Sequence, residues 1–388
     1  MTVIWNPQLD ENAAKWQALA ESLGRERFAP LAGDLDRDQR YPWETIEALV
    51  AHKFTGLFLP QQYGGEGQSL LTTVAAVETI GSHCASTAAI MCAYQLGAFP
   101  ILLAGTPEQK DFYLREMTQG RATSFALSER SAGSDAGAIE ATAVREGEGW
   151  RIRGEKYWIG NGGASRYYVV FAKTDPAAGG RGISAFMVDK EQPGAVIDEL
   201  CDKMGIRGTQ TSNLKVDLVV PDSARIGDVN RALRLALQTL NVGRIMVSAQ
   251  SLGLALGAYR EASRRAVARQ TFGHPIIENQ GIGFRLADMA TEISAARMML
   301  YEAARAYDCG GDVSSLGAMA KLFTSEVAHR AADSAVQIWG GMGYCKPNVV
   351  ERLYRDQRIL EIYEGSSEIQ RLVLARAVRK EVEDQAAA

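Results

Sequence analysis

The sequence predicts a mainly helical α+β protein with an N-terminal helical domain, a central antiparallel β-domain and a C-terminal four-helix bundle. Apolar residues recur with helical spacing up to about residue 120 and again from about residue 228. Between these regions lie short β-branched and aromatic segments separated by Gly, Pro and Asp. A chain of 388 residues is also long enough for two or three domains. We therefore expect domains at residues 1–120, 121–227 and 228–388.

The individual elements follow from these patterns. Helices are predicted at residues 12–23, 42–52, 71–83 and 90–104, and Thr106-Pro107-Glu108 is typical of a further helix start. Strands are predicted at 150–159, 167–173, 183–188 and 213–220. In the last third, one apolar stripe recurs every three or four residues, as in an amphipathic helix. Its members are Ile282, Leu286, Met289, Ile293, Ala296 and Leu300. With predicted helices at 240–271, 315–339 and 367–384, it makes the four long helices of a bundle.

Composition excludes several classes of function. The net charge is -4 and the pI about 5.8, so no general basic field attracts nucleic acid or anionic membranes. The first residues lack the pattern of a signal peptide, and we expect no stretch to reach the length of a membrane span, about 18 apolar residues. The five cysteines and four histidines are scattered, which favours neither disulfides nor a metal site. We expect a soluble, cytoplasmic protein without a metal.

The segment before the predicted last helix contains a candidate general base. Ser367 and Gln370 have the spacing of a capping box, so Glu364 and Gly365 would lie in the turn just before a helix. Free N–H groups and the helix dipole favour an anion there. A carboxylate next to apolar Ile362 and Tyr363 would have a raised pKa through desolvation, as a base near neutrality needs. On local sequence alone, however, a solvated surface glutamate is the commoner case.

Two other features allow two interpretations each, and a third, a glycine cluster, has one simple interpretation. The hydroxyl-rich stretch 125–135 is either a loop that presents donors to a phosphate or ring edge, or a turn between a helix and a strand. The Gly cluster in 337–344 is most simply a helix stop. The arginines between 260 and 269 are either phosphate ligands or an ordinary charged helix face.

Taken together and in order, nine segments resemble the acyl-CoA dehydrogenase family, from about residue 14 to 379. Short-chain and branched short-chain members look most similar. The resemblance implies the fold predicted above, assembly as a homotetramer (a dimer of dimers), and an FAD between the β-domain and the bundle. The nine segments are residues 125–135, 156–159, 203–208, 243–245, 269–273, 286–290, 337–344, 351–356 and 362–370.

The resemblance also implies which residues contact FAD and the substrate. At the flavin ring it implies Phe125, Leu127, Ser128, Gly133, Ser134, Trp158, Ile159 and Gly160. At the diphosphate it implies Arg269, Phe272 and Gln280, with Gln337, Ile338, Gly340 and Gly341 of a neighbouring subunit. Near the nucleotide end it implies Ser366, Ser367 and Glu368, and at the acyl thioester Ser134, Asn241, Arg244 and Gly365.

The chemistry implied by the resemblance is α,β-dehydrogenation. Glu364 takes the α-proton, flavin N5 accepts the β-hydride, and the trans-2-enoyl thioester is the product. The backbone N–H of Glu364 and a ribityl hydroxyl of FAD stabilise the developing enolate, and an electron-transferring flavoprotein takes the electrons. In isovaleryl-type members the base stands immediately before the arginine of the 243–244 motif. That position is Gly243 here, so the role falls to Glu364, which Arg244 would help to orient.

Three departures from the family pattern leave alternatives open. Gly160 stands where the family has Thr or Ser, Arg130 and Ser131 replace Pro and Gly, and Asn241 replaces an Asp. The substrate handle is therefore either CoA or an acyl carrier protein. Gly160 mildly favours a flavin-dependent monooxygenase or oxidase on the same fold, which Glu364 disfavours. A third alternative is a catalytically silent helical interaction protein without FAD.

Substrate length is predicted from the helix at 90–103. Tyr94 and Phe99 are bulky and could shorten an acyl pocket, although apolar helix residues equally often face a core. We expect a short or branched short-chain acyl group.

Overall fold

Helices form both ends of the chain and a sheet forms its middle, in a computed structural model that describes residues 3–387. Asp10 caps the first helix by accepting from Ala13 N, and Thr106 with Gln109 forms a capping box at the sixth. The six N-terminal helices are α1 (Glu11–Leu23), α2 (Ala29–Asp38), α3 (Trp43–Ala51), α4 (Leu70–Gly81), α5 (Ala85–Ala104) and α6 (Pro107–Thr118).

The central sheet has the strand order β6-β7-β3-β2-β4-β5-β8, with β1 beside β4. Its strands are β1 (Thr123–Ala126), β2 (Thr142–Glu146), β3 (Gly149–Ile159), β4 (Tyr167–Lys173), β5 (Ile183–Asp189), β6 (Ala195–Leu200), β7 (Ser212–Pro221) and β8 (Arg225–Ile226). Most neighbours are antiparallel, as predicted, but β1 runs parallel to β4, and β2 makes a short parallel contact with β4. The β1–β4 pair can be parallel because a long connection, which contains β2 and β3, separates the two strands along the chain.

The C-terminal region is built from long helices. They are α7 (Ala232–Ala268), α8 (Gln280–Asp308), α9 (Ser314–Trp339), α10 (Gly341–Tyr344), α11 (Val349–Gln357) and α12 (Ser367–Ala387), with the hairpin β9 (Gln270–Thr271) and β10 (His274–Pro275) after α7. The bounds predicted for α7 were wrong at both ends: it begins earlier, at Ala232, and ends at Ala268 because Arg269 has an extended backbone. The predicted stripe of α8 is buried from Leu286 to Leu300, with Ile282 at its margin.

The cap of α12 differs from the prediction by one residue. Ser366, not Ser367, precedes the helix, and its carbonyl accepts from Gln370 N at 3.0 Å. The Gln370 side chain does not complete a capping box. Its Nε2 instead donates to the carbonyls of Glu364 at 3.1 Å and Gly365 at 2.8 Å. Gln370 therefore serves the turn before the helix, which needs donors for its two carbonyl groups.

Helix α5 lies in the core between the N-terminal helices, the sheet and α7. Among residues 3–387 it is the one helix long and apolar enough to cross a membrane, so the expectation that no stretch reaches this length was wrong. In the structure 72% of its apolar window is buried, as in the core helices of soluble proteins. Its Gly97 lets β1 approach closely, since a Cβ there would lie 1.8 Å from Thr123 O.

Candidate active site

Glu364 lies in a turn with an uncommon backbone conformation. Its φ is +55°, and the next residue, Gly365, has a φ of +87°. A non-glycine residue in this left-handed region is uncommon and persists where its surroundings hold it. Two donors do so here: Lys321 Nζ and Gln370 Nε2 each lie 2.8 Å from the Gly365 carbonyl oxygen.

The Glu364 carboxylate points into the protein. The residue as a whole is partly exposed, but its Oε2 is buried and has no hydrogen-bond partner within the part of the chain that is described. Desolvation raises the pKa of Glu364 to about 7, against the opposing positive charges of Arg244 and Lys321. The carboxylate can therefore accept and release a proton near neutral pH.

Room for this carboxylate is left by a glycine of α7. A Cβ added at Gly243 would lie 2.6 Å from Glu364 Oε2 and 3.2 Å from Leu96 Cδ1. Contacts below 3.0 Å are not tolerated without movement, so a side chain at 243 and the Glu364 carboxylate compete for the same space. Positions 243 and 364, the two at which family members carry the base, are therefore adjacent in the structure.

Arg244 is buried beside this point. Its Nη1 donates to Asn241 Oδ1 at 2.9 Å, and Asn241 Nδ2 donates to Ser314 Oγ at 3.0 Å. Arg244 Nε is buried and has no partner among residues 3–387. Burial lowers the pKa of Arg244, and the negative charge of Glu364 partly opposes this effect. A guanidinium held by a neutral amide, with a donor to spare, can orient a polar group near Glu364.

The predicted flavin loop is fastened to the end of β3. Ser128 O accepts from Tyr157 N at 2.9 Å, and Leu127 O accepts from Lys156 Nζ at 3.1 Å. Phe125 packs on Phe171 with ring centroids 4.8 Å apart. Gly133 and Ser134, further along the loop, are exposed.

A buried ion pair that the sequence interpretation missed holds this loop. Lys156 Nζ lies 2.6 Å from Glu129 Oε1, and both side chains are almost fully buried. Burial lowers the pKa of Lys156 to about 8, with Glu129 acting in the opposite direction. The two-residue period of β3 could have revealed it, since Lys156 shares the inward face of Trp150 and Ile152 and so needs an acidic partner.

At the end of β3, Trp158 to Gly160 form an open edge. Trp158 has a φ of +58° and is 56% exposed, whereas Ile159 is buried. The Gly160 carbonyl accepts from Ser124 Oγ at 2.7 Å. Among the described residues, a Cβ at Gly160 would meet only Ala93 within 4 Å, at 3.7 Å.

Helix α5 connects this edge with Glu364. Ala93 faces Gly160, and Leu96, three residues later on the same helix face, lies beside Gly243 and Glu364. Tyr94 and Phe99 face elsewhere: Tyr94 Oη donates to Gly120 O at 2.6 Å, and Phe99 packs on Phe58 with centroids 5.2 Å apart. Of the two interpretations that the sequence left open, these contacts agree with the one in which both side chains face the core.

The predicted diphosphate residues lie far from Glu364 in the same chain. Arg269, Phe272 and Gln280 are exposed, as are Gln337, Gly340 and Gly341, whereas Ile338 is buried. Both groups lie at one end of the bundle, where the Arg265 guanidinium stacks 5.0 Å from the Trp339 ring. Gly243 and Ala268 are separated by roughly 38 Å at 1.5 Å per helical residue. One chain therefore does not bring this group to the Glu364 site.

The remaining predicted residues lie around the start of α12. Ser366 caps the helix and lowers the pKa of Glu368 through a side-chain hydrogen bond. Ser367 is buried, and its Oγ has no partner among the described residues. Glu368 is exposed. These three residues directly follow the Glu364 turn in the sequence, so the start of α12 positions them together with that turn.

Comparison with known proteins shows the family. Three family models match in succession: the N-terminal domain of acyl-CoA dehydrogenase at residues 10–121, the middle domain at 124–219 and the C-terminal domain at 230–379. An acyl-CoA dehydrogenase of Bacillus subtilis is 39% identical over 92% of this chain and 95% of its own. A 3-(aryl)acrylate reductase of Clostridium sporogenes is 40% identical over 93% and 97%. The structure of butyryl-CoA dehydrogenase from Megasphaera elsdenii superposes with a TM-score of 0.94 at 35% identity, covering 96% of this chain and all of that one.

The fold and these matches define a flavin-dependent oxidoreductase that acts on CH–CH groups. The chain belongs to the acyl-CoA dehydrogenase family, so the interpretation as a silent helical protein is wrong. FAD is the cofactor of this family, and the residues present fit it. The Trp158 indole is exposed, and a Cβ at Gly133 would meet no atom of residues 3–387 within 4 Å, so the indole ring and the loop backbone are both accessible.

Proposed function

We propose that this protein dehydrogenates a short or branched short-chain acyl thioester to the trans-2-enoyl thioester, with Glu364 as the general base. One observation carries the proposal. Glu364 Oε2 is buried without a hydrogen-bond partner, in a carboxyl group whose pKa is raised to about 7. Such a carboxylate is matched to abstraction of a proton near neutral pH.

Proton transfer and oxyanion stabilisation fall to residues of this chain. The α C–H bond breaks and its proton bonds to Glu364 Oε2, while the electron pair forms the α,β double bond. The backbone N–H of Glu364 donates to the thioester carbonyl as its oxygen gains negative charge. Bound FAD supplies the hydride acceptor, flavin N5, for the hydrogen that leaves the β-carbon. The tight turn at Glu364 and Gly365 keeps the base and this donor in a fixed relation.

Substrate binding is assigned to the two sides of the Glu364 pocket. Arg244, held by Asn241, and Gly365 lie on the bundle side, and exposed Ser134 lies on the loop side, where it would meet the arm of the thioester. The acyl chain would enter between Gly160 and Gly243 along the face of α5 formed by Ala93 and Leu96. The likeness to a butyryl-CoA dehydrogenase supports a short chain on CoA, and an acyl carrier protein is the second possible handle.

The cofactor contacts are assigned to two subunits. We place Phe125, Leu127, Ser128, Gly133, Ser134 and Trp158 to Gly160 at the flavin ring, and Ser366 to Glu368 at the nucleotide end. Because Arg269, Phe272 and Gln280 lie at the same end of the bundle as residues 337–341, we assign both groups to the cofactor of a neighbouring subunit. Phe272 is 95% exposed in the single chain, which supports its being covered in an assembly.

The wider setting is proposed on the family resemblance. We propose a homotetramer with domains at 1–120, 121–227 and 228–388, and an electron-transferring flavoprotein as the acceptor of its electrons. A cytoplasmic location agrees with five cysteines that form no disulfide.

The test is anaerobic mixing of the purified yellow protein with butyryl-CoA and isobutyryl-CoA. We expect the flavin to bleach and the 2-enoyl thioester, which is the trans isomer in the case of butyryl-CoA, to form in equal amount. A chain-length series of kcat/KM on acyl-CoA and acyl-carrier thioesters then assigns the substrate, and a maximum at ten carbons or more contradicts the short-chain proposal. No bleaching by any thioester, together with hydroxylation that depends on NADH or reduced flavin, supports a monooxygenase, which the missing hydroxyl at Gly160 favours.

A further inference from the structure

Lys321 is a buried cation that the proposed chemistry does not use. It lies on the inward face of α9 with 0% exposure. Its Nζ donates to Gly365 O at 2.8 Å. Within residues 3–387 no carboxylate oxygen lies within 4.0 Å of this ammonium group, so it forms no ion pair. Burial of a charge with one carbonyl partner lowers the stability of the fold. A methionine at position 321 would fill a similar space without this cost of desolvation.

The position of Lys321 connects this charge with Glu364. The carbonyl group that Lys321 binds belongs to Gly365, the residue directly after Glu364, and both have left-handed backbones. One turn earlier on α9, Gly317 lies against α7, where a Cβ would be 3.1 Å from Asn241 O and 3.9 Å from Arg244 Cβ. Helix α9 therefore brings Lys321 to the same side of the pocket as Arg244.

We propose that Lys321 is a positioning residue for Glu364, which holds the turn that carries the carboxylate and supplies positive charge that keeps this carboxylate ionised near neutral pH. The inference rests on the proposed role of Glu364 as the base. Lys321 itself touches neither the substrate nor the cofactor in this account.

The charges around the two groups agree with this role. Glu364 faces Arg244 of α7, Lys321 of α9 and the Cys92 thiol of α5, and it adjoins the Tyr363 hydroxyl. Both cations lower the pKa of Glu364 against the effect of burial. Lys321 in turn faces Glu364, Glu361, Glu368 and Arg244, and burial lowers its own pKa to about 8. Of the three acids that oppose this lowering of the Lys321 pKa, Glu364 has the largest effect.

Gln370 provides a matched control. Its Nε2 donates to the same Gly365 carbonyl at the same distance, 2.8 Å, but it carries no charge. Removal of Gln370 weakens the turn without changing the electrostatic field. Removal of Lys321 weakens the turn and also removes a positive charge. Comparison of the two variants therefore separates the effect of the charge from that of the hydrogen bond.

The experiment is a pH titration of the FAD-bound enzyme, followed by the infrared C=O stretch of protonated carboxyl groups. The band that is lost in Glu364→Gln belongs to Glu364. In Lys321→Met we expect its midpoint to move upward by roughly one pH unit, as for loss of a nearby opposite charge. Gln370→Met should leave the midpoint unchanged, and Lys321→Arg should return it close to the native value.

The predicted upward shift of the midpoint supports the inference, and one outcome contradicts it. A midpoint in Lys321→Met equal to that of the native enzyme overturns it. If that variant does not fold, Lys321→Gln, which keeps a donor for Gly365 O but has no charge, gives the same comparison. Failure of the proposed function is a separate result, since thioester-driven flavin reduction would then survive in Glu364→Gln whatever the titration midpoints are.

Discussion

Glu364 Oε2 occupies the space beside the Cα of Gly243, so close that a Cβ there would lie 2.6 Å away. The two residues are far apart in the sequence, one in the middle of α7 and one in the turn before α12. The carboxylate therefore depends on the absence of a side chain at 243.

Gly243→Ala tests this dependence. The added methyl group must displace the carboxylate, and a shift of about 1 Å at a reacting group can cost on the order of 100-fold in rate. The rate of flavin reduction in rapid mixing with butyryl-CoA should fall by about this factor. Alanine is the better helix former by roughly 0.5–1 kcal/mol, so the variant should fold and retain FAD. A native reduction rate would show that the carboxylate does not need this space.

The pH dependence of flavin reduction should reflect the raised pKa of Glu364. The base works only as the carboxylate, and its pKa is raised to about 7 by burial. The reduction rate should therefore rise with pH through about 7 and level off above it. Rapid-mixing measurements from pH 5.5 to 9 on the native enzyme check this, with the flavin absorbance of the unmixed enzyme as the control for stability. A rate that is flat across this range would contradict the assignment.

The same raised pKa predicts a pH-dependent effect on stability. The folded-state pKa of about 7 is above the ordinary value of 4.5, so folding favours the protonated form. The native enzyme therefore loses stability relative to Glu364→Gln as the pH rises from about 4.5 to 7, by at most about 3 kcal/mol. Thermal unfolding of both FAD-bound proteins at pH 5 and pH 8 measures this difference. The Tm of the variant should exceed the native Tm by more at pH 8 than at pH 5.

The buried pair of Glu129 and Lys156 should hold the loop that we place at the flavin ring. Lys156→Met leaves the Glu129 carboxylate buried without its partner, and loss of one member of such a pair costs about 3–5 kcal/mol. We expect a lower Tm and loss of bound FAD, measured by flavin absorbance per protein. In the double variant Glu129→Gln with Lys156→Met no charge is left buried, and most of the loss should be recovered. Unchanged FAD content in Lys156→Met would contradict this role.

Local patterns were enough to predict the succession of helical, β and helical regions and most of the long helices, because periodicity depends on neighbours in the sequence. The shorter elements α2, β2 and β6 were not predicted. Local patterns also failed at the cap of α12, which is Ser366 and not Ser367. The Gln370 side chain donates to the carbonyls of Glu364 and Gly365 and therefore does not complete the predicted capping box. The orientation of Tyr94 stayed open in the sequence, because α5 is apolar on all sides and its spacing does not show which face lines the site; in the structure Ala93 faces Gly160.

The environment of the base itself was only partly predictable. Its apolar neighbours in sequence suggested a raised pKa, and the structure agrees. The groups that set this pKa come from other helices, however: Arg244 from α7 and Lys321 from α9. No spacing in the sequence places Lys321 next to Gly365, because the two residues are 44 positions apart and tertiary packing of the helices brings them together.

The measurement that tests the central proposal most directly is anaerobic single-turnover reduction of FAD by butyryl-CoA in Glu364→Gln. Glutamine keeps the shape of the side chain but cannot take the proton, so we expect thioester binding and FAD content to remain and flavin reduction to fall at least 1,000-fold, of the order seen when an acid–base group is removed. Glu361→Gln is the matched control, an acid of the same segment that pairs with Arg358, and it should reduce at close to the native rate. Reduction at a near-native rate in Glu364→Gln would contradict its role as the base.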